Sequence, residues 1–173
     1  MSIMTIKKLT VVSIVAGTAA TAVLPASATG WKVWKGLDEA SPRAVLTDTD
    51  DRAGAVLVCD KSGKLSAILS LKAGNISDQL DMHATYKRGE TATISTGQAD
   101  PVETTVRYSP ANKVVEIGAH TPAARIYNSV IRGEAVTVAV DHAEDVTTTL
   151  PEPDDIFKAF AKTCMKARAA TSE

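Results

Sequence analysis

Two cysteines limit what this chain of 173 residues can become. Cys59 closes the run AVLVCD, in which Ala55, Leu57 and Cys59 fall on one face by the two-residue period of a strand. Cys164 lies in DDIFKAFAKTCMK, where Ile156, Phe157, Phe160 and Cys164 share one face of an amphipathic helix while Lys158, Lys162 and Lys166 project away. Each cysteine therefore stands on the side that its element would bury. More than half the chain separates them, so a bond between them would draw a late helix onto an early strand.

Whether such a bond forms depends on the compartment, and the first residues speak to that. Lys7 and Lys8 precede an uncharged run from Leu9 to Leu24, and Ala26-Ser27-Ala28 follows. This is the layout of a secretory signal peptide, so residues 1–28 are expected to be removed on export. The run is rich in Ala, Thr and Gly and shorter than the roughly 20 strongly apolar residues of a membrane-spanning helix, and no later stretch is long enough to span. In an oxidising compartment an even cysteine count favours an intramolecular Cys59–Cys164 bridge, the alternatives being two buried thiols or a link between chains.

The remainder is expected to form one α+β domain over residues 29–166, with 167–173 a frayed tail. Aromatic residues are 4% of the chain, so Val, Ile, Leu and Ala must supply most of the core. A bridge closing a loop of about 100 residues contributes up to about 4.7 kcal/mol on chain-entropy grounds, a large share of a typical total of about 5–15 kcal/mol. The opening GWKVWKG reads as a short strand, RAVLT and AVLVCD as strands, and KLSAILSL as the return of a hairpin through DKSGK. Two more hairpins are expected about KRGE and about SPANK. Thr121-Pro122 has the form of a helix start, with Ile126, Tyr127, Val130 and Ile131 on one face and Gly133 at the end. EAVTVAV and VTTTL then read as strands. The fold class is a mainly antiparallel sheet or sandwich with two short helices, the second tied to a strand by the disulfide.

Charge and motifs exclude more than they assign. The net charge is −1 with both signs interspersed, which gives nothing for nucleic acid to grip and no basic cluster for an anionic membrane. There is no Cys-x-x-Cys pair and no zinc-ligand spacing, so no metal or cofactor is expected. GxSxG and Ser-x-x-Lys are missing, and DKSGK lacks the spacing of a phosphate loop. DTDDR lacks the glycine and glutamate of a calcium-binding loop. Asn75-Ile76-Ser77 fits a glycosylation acceptor, relevant to a eukaryotic host. Of the histidines, His142 stands in DHAED, His120 just before a helix, and His83 in an alternating segment. A hydrolase using His142 or His120 with acidic partners is the alternative to a non-catalytic role, and a surface that binds through exposed hairpin tips is a third.

The early Trp, the strand cysteine, YNSVIRGEAVTVAV and the closing F..F...C helix together resemble the small periplasmic proteins of the invasion-associated locus B type. The entry to the last helix, LPEPDD, departs from that pattern. The resemblance implies a compact β-rich bacterial envelope protein, without catalytic residues to carry over, sometimes linked to host-cell contact; an unknown protein or envelope component is the expected partner. The expectation is an exported binding or envelope-associated protein, periplasmic or secreted.

Overall fold

The computed structural model describes residues 30–34, 44–47, 49, 51–82 and 86–171. The proposed leader, residues 1–28, lies outside them. Among the described residues nine strands form a single antiparallel sheet rather than a sandwich: β1 (Lys32–Val33), β2 (Ala44–Thr47), β3 (Ala55–Cys59), β4 (Leu65–Ser70), β5 (Arg88–Thr96), β6 (Ala99–Ser109), β7 (Val114–Ile117), β8 (Ala135–Val140) and β9 (Val146–Thr149). Three helices accompany them: α1 (Ile76–Asp81), α2 (His120–Arg132) and α3 (Asp155–Thr171). The spatial order is β1-β2-β3-β4-β7-β6-β5-β8-β9. Strands near in sequence pair through short turns, and the departures from sequence order come where α1 and α2 intervene.

One face of the curled sheet is far more apolar than the other. Leu57, Ala67, Leu69, Ile94, Val106, Val115, Ile117, Val136 and Val138 face a common core, where α2 contributes Ala123, Ile126 and Val130 and α3 contributes Phe157, Phe160 and Cys164. The outward positions of β5, β6 and β8 include Thr93, Glu103, Thr105, Arg107 and Thr137, and these stay partly or fully exposed. β2 and β3 are the exception, buried on both sides. Ala44, Leu46, Val56 and Val58 pack outward against Ile76 of α1 and Val114.

The two ends of the curl approach through side chains. Thr148 Oγ1 of β9 donates to the carbonyl of Ala53 at 2.9 Å, and Arg52 Nη1 donates to Thr149 O at 3.1 Å. Trp31, just before β1, donates its indole N–H to Pro151 O at 3.2 Å. These bonds span separations of 95, 97 and 120 residues, so they fasten the first part of the fold to the last.

Several expectations need correction. The KRGE segment is not a hairpin turn: Arg88, Gly89 and Glu90 already belong to β5, and the chain reverses at Gly97, whose φ of +52° suits a residue without Cβ. α2 begins at His120 with Ala119 as its uncapped N-cap residue, so Thr121 is not the cap, and Pro122 sits in the first turn where its missing N–H costs nothing. Ile131 is exposed rather than buried. The supposed frayed tail is helical to Thr171, because Ala167 is buried and ARAAT is rich in the best helix former. A third helix, α1, was not expected; Asn75 caps it by accepting from Ser77 N at 3.2 Å.

Candidate functional site

The most constrained region is where α3 meets the β3–β4 hairpin. Cys59 is the last residue of β3 and Cys164 lies on the buried face of α3; they form a disulfide with Cα atoms 5.8 Å apart, within the usual span of such bonds. The hairpin turn beside it is built by Asp60. Its Oδ1 accepts from Ser62 N at 2.8 Å, Ser62 Oγ at 2.7 Å and Lys64 N at 2.9 Å. Desolvation alone would raise this carboxyl, but the Ser62 and Lys64 hydrogen bonds and the Lys64 charge outweigh it and hold the group below the ordinary 3.8. Gly63 follows with φ +77°, and a Cβ there would lie 2.7 Å from Arg168 N, so turn and helix touch at backbone level.

Asp154 fastens the other end of α3. Its Oδ1 accepts from Phe157 N at 2.9 Å, the bond of an N-cap residue, and its Oδ2 accepts from Trp31 N at 2.8 Å. One carboxylate thus caps the helix and holds the strand that begins the fold. Between Asp154 and Cys164, four of the seven aromatic residues gather: Phe157 has Trp31 at 5.0 Å, Tyr127 at 5.3 Å and Phe160 at 6.1 Å between ring centroids. Such contacts add about 0.5–1.5 kcal/mol each beyond area burial. The scarcity of aromatics is offset by their concentration under one helix.

The histidines are dispersed. His120 opens α2; its Nδ1 accepts from Leu65 N at 3.0 Å, and its Nε2 lies 2.9 Å from Arg168 Nη2. The ring is thus engaged on both sides by the protein, in a structural joint that holds α2 against β4 and α3. Tyr127 nearby has its phenol raised above 10.0 by burial, which the Arg168 charge opposes without reversing. His142, in the β8–β9 turn at φ +59°, has Nδ1 3.5 Å from Glu90 Oε2 and is largely exposed. Glu90 is also held by Arg88 Nε at 2.6 Å, and Arg88 lies over the Tyr108 ring at 5.5 Å. Glu144 and Asp145 of DHAED are exposed. His83 lies outside the described residues, as do Asp48 and Asp50 of DTDDR.

No hydroxyl is bonded to His120 or His142 among the described residues. No group of three or more His, Cys, Asp or Glu among them is arranged to hold a metal ion, and no helix among them is long and apolar enough to cross a membrane. Three of the surface grooves among the described residues border α3 or the outer sheet. One of about 340 Å³ is lined by Val33, Val45, Ile156, Ala159 and Phe160; one of about 480 Å³ by Lys61, Lys162, Thr163 and Lys166; and one of about 610 Å³ lies across the outer sheet at Ile68, Gly89, Arg107 and Glu116. Neither His120 nor His142 lines any of the three.

The fold and the staple define a class: a curled antiparallel sheet whose ends are clasped by hydrogen bonds and sealed by a disulfide-bound terminal helix. No family model matches the chain, and no curated protein or solved structure matches it. Sequence reasoning found both cysteines and the amphipathic helix that carries Cys164. It missed that Asp154 also holds Trp31, and that Gly63 and Lys61 lie against α3. Those are contacts between residues about 100 apart, for which the local pattern carries no signal.

Proposed function

We propose that this chain is an exported, non-catalytic binding or envelope-support protein, periplasmic or secreted, that acts through its surface. One observation carries the reading: the Cys59–Cys164 bridge joins elements 105 residues apart inside the core, a bond that persists where thiols are oxidised. The three-part layout of residues 1–28 supports export, and the likeness to invasion-associated locus B type proteins implies the same setting. The site beneath α3 favours rigidity. Its polar groups, Asp60, Asp154 and His120, are engaged with backbone N–H groups rather than turned to an open cleft.

The hydrolase alternative has one observation in its favour, the His142–Glu90 pair at 3.5 Å. That pair sits on an exposed turn, and Glu90 already has Arg88 as a nearer partner. Fractionation of cells producing the full chain, with the mass of the product measured without reductant, tests the reading. The expected product is outside the cytosol, begins near Thr29 and lacks the two thiol hydrogens. A full-length cytosolic product with both thiols intact would refute it.

A further inference from the structure

Along the chain, Lys61 and the lysines of α3 are about 100 residues apart, and the charge pattern reads as evenly mixed. The fold brings them together. Lys61, on the tip of the β3–β4 hairpin, lines one groove with Lys162 and Lys166, and Lys158 continues the row one turn earlier. Lys158, Lys162 and Lys166 follow one another at i, i+4 spacing, an arrangement of like charges that costs stability in a helix. Among the described residues only Lys158 of the four has an ion pair, with Asp155 at 3.4 Å. The cluster is held rigidly, since the Cys59–Cys164 bridge and the close approach of Gly63 to Arg168 fix the hairpin tip against the helix. It also runs against the balance of a chain whose net charge is −1.

A second observation narrows the partner. Of the six large apolar side chains exposed among the described residues, three border α3: Val33, Ile156 and Met165, the last 64% exposed. Val33 and Ile156 line the apolar groove that shares Thr163 with the lysine groove, and Met165 stands on the other flank of the lysine row, in a small groove with Gly63, Tyr127 and Arg168. A small soluble anion would meet the lysines and leave these side chains in water. A bilayer offers both layers at once, phosphates for the lysines and an apolar interface for Ile156 and Met165.

We propose that the outer face of α3, with Lys61 beside it, docks on an anionic lipid surface. The helix of 17 residues extends for about 25 Å, enough to lie along several headgroups. Binding is peripheral, with lysines facing phosphates and the flanking apolar side chains entering the interface. This rests on the reading of the chain as an envelope-associated protein and names the partner of its surface.

The test is co-sedimentation of the oxidised protein with vesicles of phosphatidylcholine mixed with phosphatidylglycerol, and with phosphatidylcholine alone. Binding to the mixed vesicles, and its loss at high salt, is expected. The double substitution K162A/K166A, measured in the same preparation so that any retained leader contributes equally, should weaken binding roughly thirtyfold at about fivefold per lysine. Met165→Ser should weaken it severalfold, whereas Lys72→Glu, on the loop after β4, should leave it within about twofold. Equal binding by the lysine double variant and the parent, or no binding to mixed vesicles, overturns the proposal. An exported, oxidised protein that ignores these vesicles would sink the docking and leave the export reading standing; a cytosolic thiol form that binds them would do the reverse.

Discussion

Replacing Gly63 with alanine tests how tightly the hairpin and the last helix are joined. At φ +77° an L-residue incurs about 1–2 kcal/mol of left-handed strain. The added Cβ would also lie 2.7 Å from Arg168 N, 2.8 Å from Arg168 Cβ and 2.9 Å from Arg168 Cα. Two of those atoms are helix backbone and cannot swing aside, so the overlap adds about 1–3 kcal/mol, as overpacking does in a core. The sum is about 2–5 kcal/mol, or a fall in melting temperature of roughly 6–15 °C for a domain of this size. Cys164 stands one turn before Arg168, so the disulfide prevents α3 from retreating. Urea denaturation of G63A in the parent and in a C59A/C164A background separates the two parts. The loss should shrink to about 1–2 kcal/mol once the bridge is gone, because the helix can then move and only backbone strain remains. A G63A variant within about 0.5 kcal/mol of the parent, or an equal loss in both backgrounds, would refute the argument.

Removing both cysteines as C59A/C164A should cost about 3–5 kcal/mol by denaturant titration, since the lost bond closes a separation of 105 residues. Hydrogen exchange in that variant should accelerate first in α3, and uniform acceleration would contradict a helix held mainly at this point. Asp154→Ala should cost about 2–3 kcal/mol, because it deletes the cap on Phe157 N and the bond from Trp31 N together; a loss within the range of one ordinary cap, about 1 kcal/mol, would show that the Trp31 bond contributes nothing. For Asp60 the folded carboxyl titrates below its unfolded value of 3.8, so its stabilisation is fully present above that pH and is lost as pH falls through the lower folded value. The stability difference between parent and Asp60→Asn should therefore be constant near neutrality and narrow only in acid, and a difference that varied between pH 6 and pH 8 would point to another group.

Much of the sheet was legible because its inner face is so regular. The alternation of Leu65, Ala67, Leu69 and Leu71, and of Val136, Val138 and Val140, marks strands whatever surrounds them, and all of these side chains are buried. Gly133 announced the end of α2 and adopts the left-handed conformation expected there, with φ 65°. KRGE misled because charges beside a glycine look like a turn, whereas Arg88 and Glu90 continue β5 beyond Ala92, opposite Tyr108 and Val106 of β6, and pair with each other across Gly89. Asn75 caps α1 ahead of the buried Ile76, a role that its sequence neighbours did not announce. Helix α1 has six residues, too few for its period to register against the strands around it. The lysine face could not be read along the chain, since charge patterning compares neighbours in sequence and Lys61 becomes a neighbour of Lys162 only through the folded hairpin.

A peptide map of the purified protein, alkylated and digested without reductant, tests the staple most directly. The structure predicts one crosslinked species joining the peptide of Cys59 to that of Cys164, which separates into two on reduction. Both cysteines recovered singly and alkylated in folded protein would contradict it, and with it the mooring of α3 to the sheet.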